Sequence, residues 1–263
     1  MKLKKAFVAA ALSGLFVTLA LAQSPTPEPP PAPAAAPAPP PAPFSVNVGI
    51  ASSYIYRGLN QSDYKPALQI GADYVSESGF YVGVWGSSIR WVKDFGFGSA
   101  NAEFDIFGGY KGTAGPIGYD VGVLQYVYNG SVTPGSIKAN TTEVYVAGTY
   151  EMFTLKYSHV VSKGIFAVPK AKNSGYFDLS ATFPLLDNLA LNLHVGHQII
   201  KNTGGLGTYT DGKAELAYDF GNGLSFAGGV TATDADKTFY TPLGKKFTGK
   251  TTPFGLLKYT KSF

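Results

Sequence analysis

The feature that most constrains this chain is a hydrophobic period of two that runs from Phe44 to the C-terminus. In the first segment Val46, Val48, Ile50, Tyr54 and Tyr56 share one face, while Asn47, Gly49, Ser53 and Arg57 share the other. The alternation recurs with Leu68, Ile70, Ala72 and Tyr74 against Gln69, Gly71 and Asp73, and with Phe104, Ile106 and Tyr110 against Glu103 and Asp105. It persists through Val144 and Val146, Phe177 and Leu179, Leu191 and Leu193, and Leu216 and Tyr218. Successive side chains of a strand point to opposite faces, so this period predicts half-apolar β-strands. No segment carries a helical stripe, and the chain is expected to be all-β.

Punctuation by Gly, Pro, Asn and Asp divides the pattern into about twelve strands, near 44–57, 66–76, 79–90, 102–111, 116–129, 142–151, 153–161, 175–184, 188–200, 211–221, 223–233 and 251–263. The connections alternate in length: Ser76–Gly79, Lys111–Pro116, Glu151-Met152, Pro184–Asn188 and Gly221–Gly223 are short, and the intervening ones are long. A soluble sandwich has no reason to put every long loop at one end. A transmembrane antiparallel up-and-down β-barrel does, and an even strand number with strands of about ten residues fits it. Phe80, Tyr110, Tyr150, Phe153, Phe183, Phe220 and Phe263 fall at the short-turn end, where an interfacial aromatic girdle belongs.

The first 43 residues read differently. Met1–Ala22 has Lys2, Lys4 and Lys5, an apolar run from Ala6 to Leu21 and a small-residue site at Ala20-Leu21-Ala22, the pattern of a secretory signal peptide cleaved near Ala22. Residues 23–43 form a Pro/Ala-rich linker that holds most of the chain's 18 prolines and is expected to be disordered. The barrel then occupies 44–263. The net charge of +4 falls to about +1 without the three leader lysines, which argues against a nucleic-acid partner. The chain has no cysteine, so neither a disulfide framework nor a lipid-acceptor thiol is available.

Strand parity assigns the inward face. It places Arg57, Asp73, Trp85, Glu103, Asp105, Asp120, Glu143, Lys156, Asp178, His194, Glu215 and Asp219 along a pore, with Tyr81 and Lys258 on the same face and Lys213 near the mouth. Carboxylates outnumber bases there, and uncompensated carboxylates in a low-dielectric wall favour a cation-preferring pore. An internal salt-bridge network filling a narrow barrel is the competing expectation. Tyr54 and Tyr56 are expected to face lipid, and Arg57 to pair with a lumen carboxylate at the outer mouth. Phe95, Phe97, Tyr209 and Tyr240 sit in long loops that could fold inward as a constriction.

The last strand ends in Leu257, Tyr259 and Phe263 on one face, with Lys261 interrupting it. A terminal aromatic on such a strand resembles the signal read by the barrel-assembly machinery of bacterial outer membranes; Tyr259 and Phe263 would carry it. The run that includes Ser53-Tyr54, Arg57-Gly58, Gln61-Ser62, Lys65-Pro66-Ala67, Gln69, Asp73-Tyr74, Ser78–Tyr81 and Trp85–Ser87 resembles the opening of the TorF porin family, also called the Gcw_chp group. That resemblance implies a proteobacterial outer-membrane channel and supplies no substrate and no catalytic residues. The expected partners are outer-membrane lipid, lipopolysaccharide and small hydrophilic solutes.

An enzyme is not expected. His194 faces inward and His197 the other way, so they cannot share a metal on a regular strand, and no Ser-His-acid or HExxH spacing accompanies them or His159. No cofactor or metal is expected either. The alternative to a channel is a structural or adhesive barrel with receptor-like loops and an occluded lumen.

Overall fold

A computed structural model describes Pro43–Phe263; the signal-peptide and linker assignments fall on residues 1–42, outside the described residues. The strands in chain order are β1 (Phe44–Ala51), β2 (Ile55–Tyr56), β3 (Leu59–Asn60), β4 (Ala67–Val75), β5 (Phe80–Ser88), β6 (Ala102–Ala114), β7 (Ile117–Tyr128) and β8 (Thr141–Tyr150). They continue with β9 (Phe153–Val160), β10 (Gly175–Leu186), β11 (Leu189–Ile199), β12 (Tyr209–Gly221), β13 (Leu224–Thr233) and β14 (Thr252–Ser262). A single helical turn, α1 (Trp91–Asp94), interrupts the connection after β5. It is too short to write a 3.6-residue stripe into the sequence.

Twelve of these strands, β1 and β4 to β14, form one closed antiparallel barrel in which each pairs with its chain neighbour. Closure is made by β1, which pairs with β4 on one side and with β14 on the other, from Ser45 opposite Ser262 to Ala51 opposite Leu256. Closure removes the unpaired edges that an open sheet would expose. Phe263 N donates to Phe44 O at 2.9 Å, and the two rings pack at 6.0 Å.

The apolar parity faces outward. Val48, Ile50, Leu68, Ile70, Val84, Ile106, Val146, Leu155 and Leu216 are exposed on the wall, and Ile70, in the middle part of β4, is 51% exposed. Water tolerates no contiguous apolar belt of this extent, so the surface is built for a hydrocarbon surrounding. Phe80, Tyr150, Phe153, Phe220 and Phe263 are exposed at the short-turn rim. The turns there are tight: Asn222 and Gly223 have φ of 53° and 85°, the paired left-handed conformation that a two-residue hairpin uses to match strand twist. The turn expected over Lys111–Pro116 shrinks to Gly115-Pro116, because β6 runs on to Ala114 and makes Lys111 a strand residue opposite Asp120.

The largest departure from the sequence expectation is at the first strand. It ends at Ala51, not Arg57. Ser52 N donates to Gly255 O at 2.8 Å as the chain leaves the wall, and β2 and β3 then pair with each other as a separate two-stranded ribbon. Arg57 and Gly58, with φ of 46° and 74°, form its tip. Tyr54 is buried and Tyr56 half-buried, so neither faces lipid. Period-two alternation is equally compatible with a strand in the wall and a hairpin inside it; the partners waiting in the lumen decide between them.

Candidate functional site

The tip of the β2–β3 hairpin is held by a guanidinium clamp. Arg57 Nη1 donates to Glu143 Oε1 at 3.0 Å and Nη2 to Glu143 Oε2 at 2.7 Å, a two-pronged pairing that fixes the plane as well as the charge. Nη1 also donates to Gln198 Oε1 at 2.9 Å, and Gln198 Nε2 donates to Gly175 O at 3.0 Å. The guanidinium carbon lies 4.2 Å from the Tyr176 ring centroid and 4.9 Å from that of Tyr56. The side chains of Arg57 and Glu143 are 8% and 1% exposed. A charge so far from water persists only when its hydrogen bonds are met, and both partners here satisfy that.

The remainder of the hairpin is anchored the same way. Tyr54 donates to Glu103 Oε1 at 2.7 Å and packs edge-on against Trp85 at 5.3 Å. The Tyr56 and Tyr126 hydroxyls meet at 2.5 Å. Gly58 is required on two counts: its φ is left-handed, and a Cβ there would lie 2.5 Å from Asp211 Cβ. Beside this layer His194 sits between two carboxylates, with Nδ1 3.2 Å from Asp178 Oδ1 and Nε2 3.0 Å from Asp211 Oδ2. Each ring nitrogen thus lies within hydrogen-bond distance of a carboxylate, and Tyr176 donates to Asp211 Oδ1 at 2.8 Å.

On the short-turn side of this layer is a cavity of about 410 Å³, lined among others by Asn47, Asp73, Tyr81, Trp85, Asp105, Asp120, Tyr145 and Lys156. Tyr81 donates to Asp120 Oδ1 at 2.6 Å and bonds the Tyr145 hydroxyl, and Lys156 Nζ stands 3.9 Å over the Tyr145 ring. On the loop side is a second cavity of about 160 Å³, lined by Tyr56, Trp91, Phe95, Phe97, Tyr128, Phe166, Tyr209 and Tyr240, among others. Burial pushes the Tyr240 hydroxyl above its ordinary pKa; it stays protonated and donates to Gly207 O at 2.8 Å. The two cavities share no lining residue.

The residues named from strand parity are thus distributed unevenly. Arg57, Glu103 and Glu143 meet in the hairpin layer, Asp178 and His194 join it at the wall, and Asp73, Trp85, Asp105, Asp120 and Lys156 line the lower cavity. Glu215 is engaged by Lys213 at 3.2 Å and Asn192 at 3.0 Å. Asp219 stands at the short-turn end of β12, exposed, and accepts from Gly221 N at 2.8 Å, capping its turn. Of the carboxylates assigned inward by parity, Glu143, Asp178 and Glu215 are paired with a base, while among the described residues Asp73, Glu103, Asp105, Asp120 and Asp219 have no ion pair with Lys, Arg or His. Sequence reading missed Asp211, the first residue of the strand expected over 211–221, and the uncharged Gln198, Tyr126 and Tyr176. Tyr126 shares the parity of Asp120, a signal that a search for charge alone passes over.

The fold defines a class, the closed twelve-stranded antiparallel β-barrel. The KdgM porin aligns with a TM-score of 0.53 at 7% identity, covering 83% of this chain and 99% of its own, and the NanC porin with 0.50 at 8%, covering 84% and 99%. At such identity the likeness extends to the fold alone. No curated protein sequence matches. Residues 34–263 match the family described as "Bacterial protein of unknown function (Gcw_chp)", and the chain belongs to it. That description carries neither the TorF name nor a function.

Proposed function

We propose that this protein is an outer-membrane channel for passive diffusion of small hydrophilic solutes, held closed near its outer mouth by the β2–β3 hairpin. The observation that supports this most is the pairing of a cavity of about 410 Å³, lined in part by charged side chains, on the short-turn side with a hairpin seated across the lumen, its tip clamped by Arg57 on Glu143. A barrel whose only task was structural has no need of a roomy, partly charged interior beneath a plug. Asp73 and Asp120, carboxylates that line the lower cavity without an ion pair among the described residues, give the open lumen a preference for cations. One KdgM structure holds disordered oligogalacturonate, a saccharide with a carboxylate on each unit. The carboxylate-rich interior of this chain suits a neutral or cationic solute instead.

The burial of the hairpin supports a second reading, an occluded barrel whose loops serve adhesion. Planar-bilayer recording in a salt gradient separates the two. Wild type is expected to be closed with rare openings, and Arg57→Ala to conduct with a reversal potential on the cation side; adding Asp120→Asn should reduce that potential. Silence from both wild type and Arg57→Ala would favour the adhesive barrel, and an anion-side potential would remove the cation preference.

A further inference from the structure

The loop-side cavity has a chemistry of its own that channel closure does not use. Tyr56, Trp91, Phe97, Tyr128, Phe166 and Tyr240 supply aromatic faces and edges, and no acidic, basic or histidine side chain lines it. Its volume, about 160 Å³, is close to the roughly 150 Å³ of an apolar protein cavity known to take up benzene. Two of its lining residues carry buried N–H groups, Asn60 Nδ2 and Trp91 Nε1, that have no hydrogen-bond partner among the described residues. The Asn60 amide cannot be turned round to relieve this. Its Oδ1 accepts from Ser62 N at 3.0 Å and Tyr64 N at 2.9 Å, so the orphaned end is the NH₂. Asn60 is 1% exposed, and buried donors are rarely left unmet in folded proteins.

We propose that this cavity is a binding site for small, uncharged single-ring compounds that carry an acceptor oxygen, of the aryl ketone or aldehyde type. The ring would take the edge and face contacts of the aromatic wall, and the oxygen would accept from Trp91 Nε1 or Asn60 Nδ2. A carboxylate ligand lacks a cationic partner here. A sugar brings more hydroxyl groups than the wall can satisfy. The site is formed by the β2–β3 hairpin and the connections after β5, β9 and β13, so it faces the loop side. The proposal does not rest on conductance: a barrel silent in bilayers would still bind.

The test is calorimetric titration of the purified, detergent-folded protein with acetophenone, corrected for the detergent alone. Ethylbenzene serves as a probe of similar shape without the acceptor, and benzoate as the charged one. Saturable binding of acetophenone at one site is expected. Trp91→Phe keeps a ring but removes the N–H, and should weaken acetophenone roughly fivefold, the loss of one buried hydrogen bond, while leaving ethylbenzene unchanged. Asn60→Asp keeps the two bonds to Oδ1 and converts the free donor to an acceptor; it should weaken acetophenone at least as much. Val168→Phe fills the cavity and should abolish both. Folding of each variant is read from heat-modifiable migration on gels. Absence of saturable acetophenone binding to the folded wild type, equal weakening of both neutral probes by Trp91→Phe, or benzoate binding as tight as acetophenone would each overturn the proposal.

Discussion

At the scale of single residues the decisive fact is that Arg57 gives up water for one carboxylate and one amide. Removing one member of such a buried pair strands the other charge, which typically costs about 3–5 kcal/mol, whereas replacing both by apolar groups is often neutral. Arg57→Ala is therefore expected to destabilise the barrel more than the Arg57→Ala/Glu143→Leu double variant, as read by urea unfolding in detergent; equal losses would mean that the clamp is not a unit. Gly58→Val adds left-handed strain and a collision with Asp211, and should lower stability by about 1–3 kcal/mol without altering charge. The pairing of Arg57 with a lumen carboxylate could be framed from parity because the sequence alternation gives Arg57 and Glu143 the same inward parity, although Arg57 reaches the lumen from a hairpin tip and not from a wall strand. Which carboxylate it would meet could not, because 86 residues separate them in the chain.

At the scale of elements, legibility divides along the same line between local and distant. Each wall strand alternates by itself, since lipid outside and lumen inside act on every strand independently, and the turns declare themselves through residues such as Asn222-Gly223. The β2–β3 hairpin declares nothing local. Arg-Gly is not a usual two-residue turn pair, and Tyr54 and Tyr56 continue the parity of Val48 and Ile50. Their placement depends on Glu103 and Tyr126, supplied by β6 and β7. The orphaned donors of Asn60 and Trp91 are invisible in sequence for the same reason. Because β1 ends at Ala51 and β4 begins at Ala67, the hairpin contributes no strand to the wall. Deleting residues 54–61 should leave a heat-modifiable barrel with a steadily open channel, whereas Arg57→Ala should flicker because the hairpin can still fall back into place. Single-channel dwell times distinguish these outcomes, and loss of folding on deletion would show the hairpin to be part of the wall's stability.

At the scale of the whole molecule, the twelve pairings form a ring in which sequence neighbours are also spatial neighbours, with the β1–β14 seam the one junction between distant segments. That seam ends with Phe44 and Phe263 in direct hydrogen-bonded contact on the short-turn rim. In geometric terms the barrel has no privileged starting strand. A short peptide joining Phe263 to Phe44 would amount to a sixth rim turn, and the chain could be cut instead at Asp187-Asn188. Such a circular permutant retains every strand pairing and is expected to fold to the same heat-modifiable barrel, and its failure to do so would show that the order in which strands reach the membrane, rather than their final pairing, governs how this ring closes.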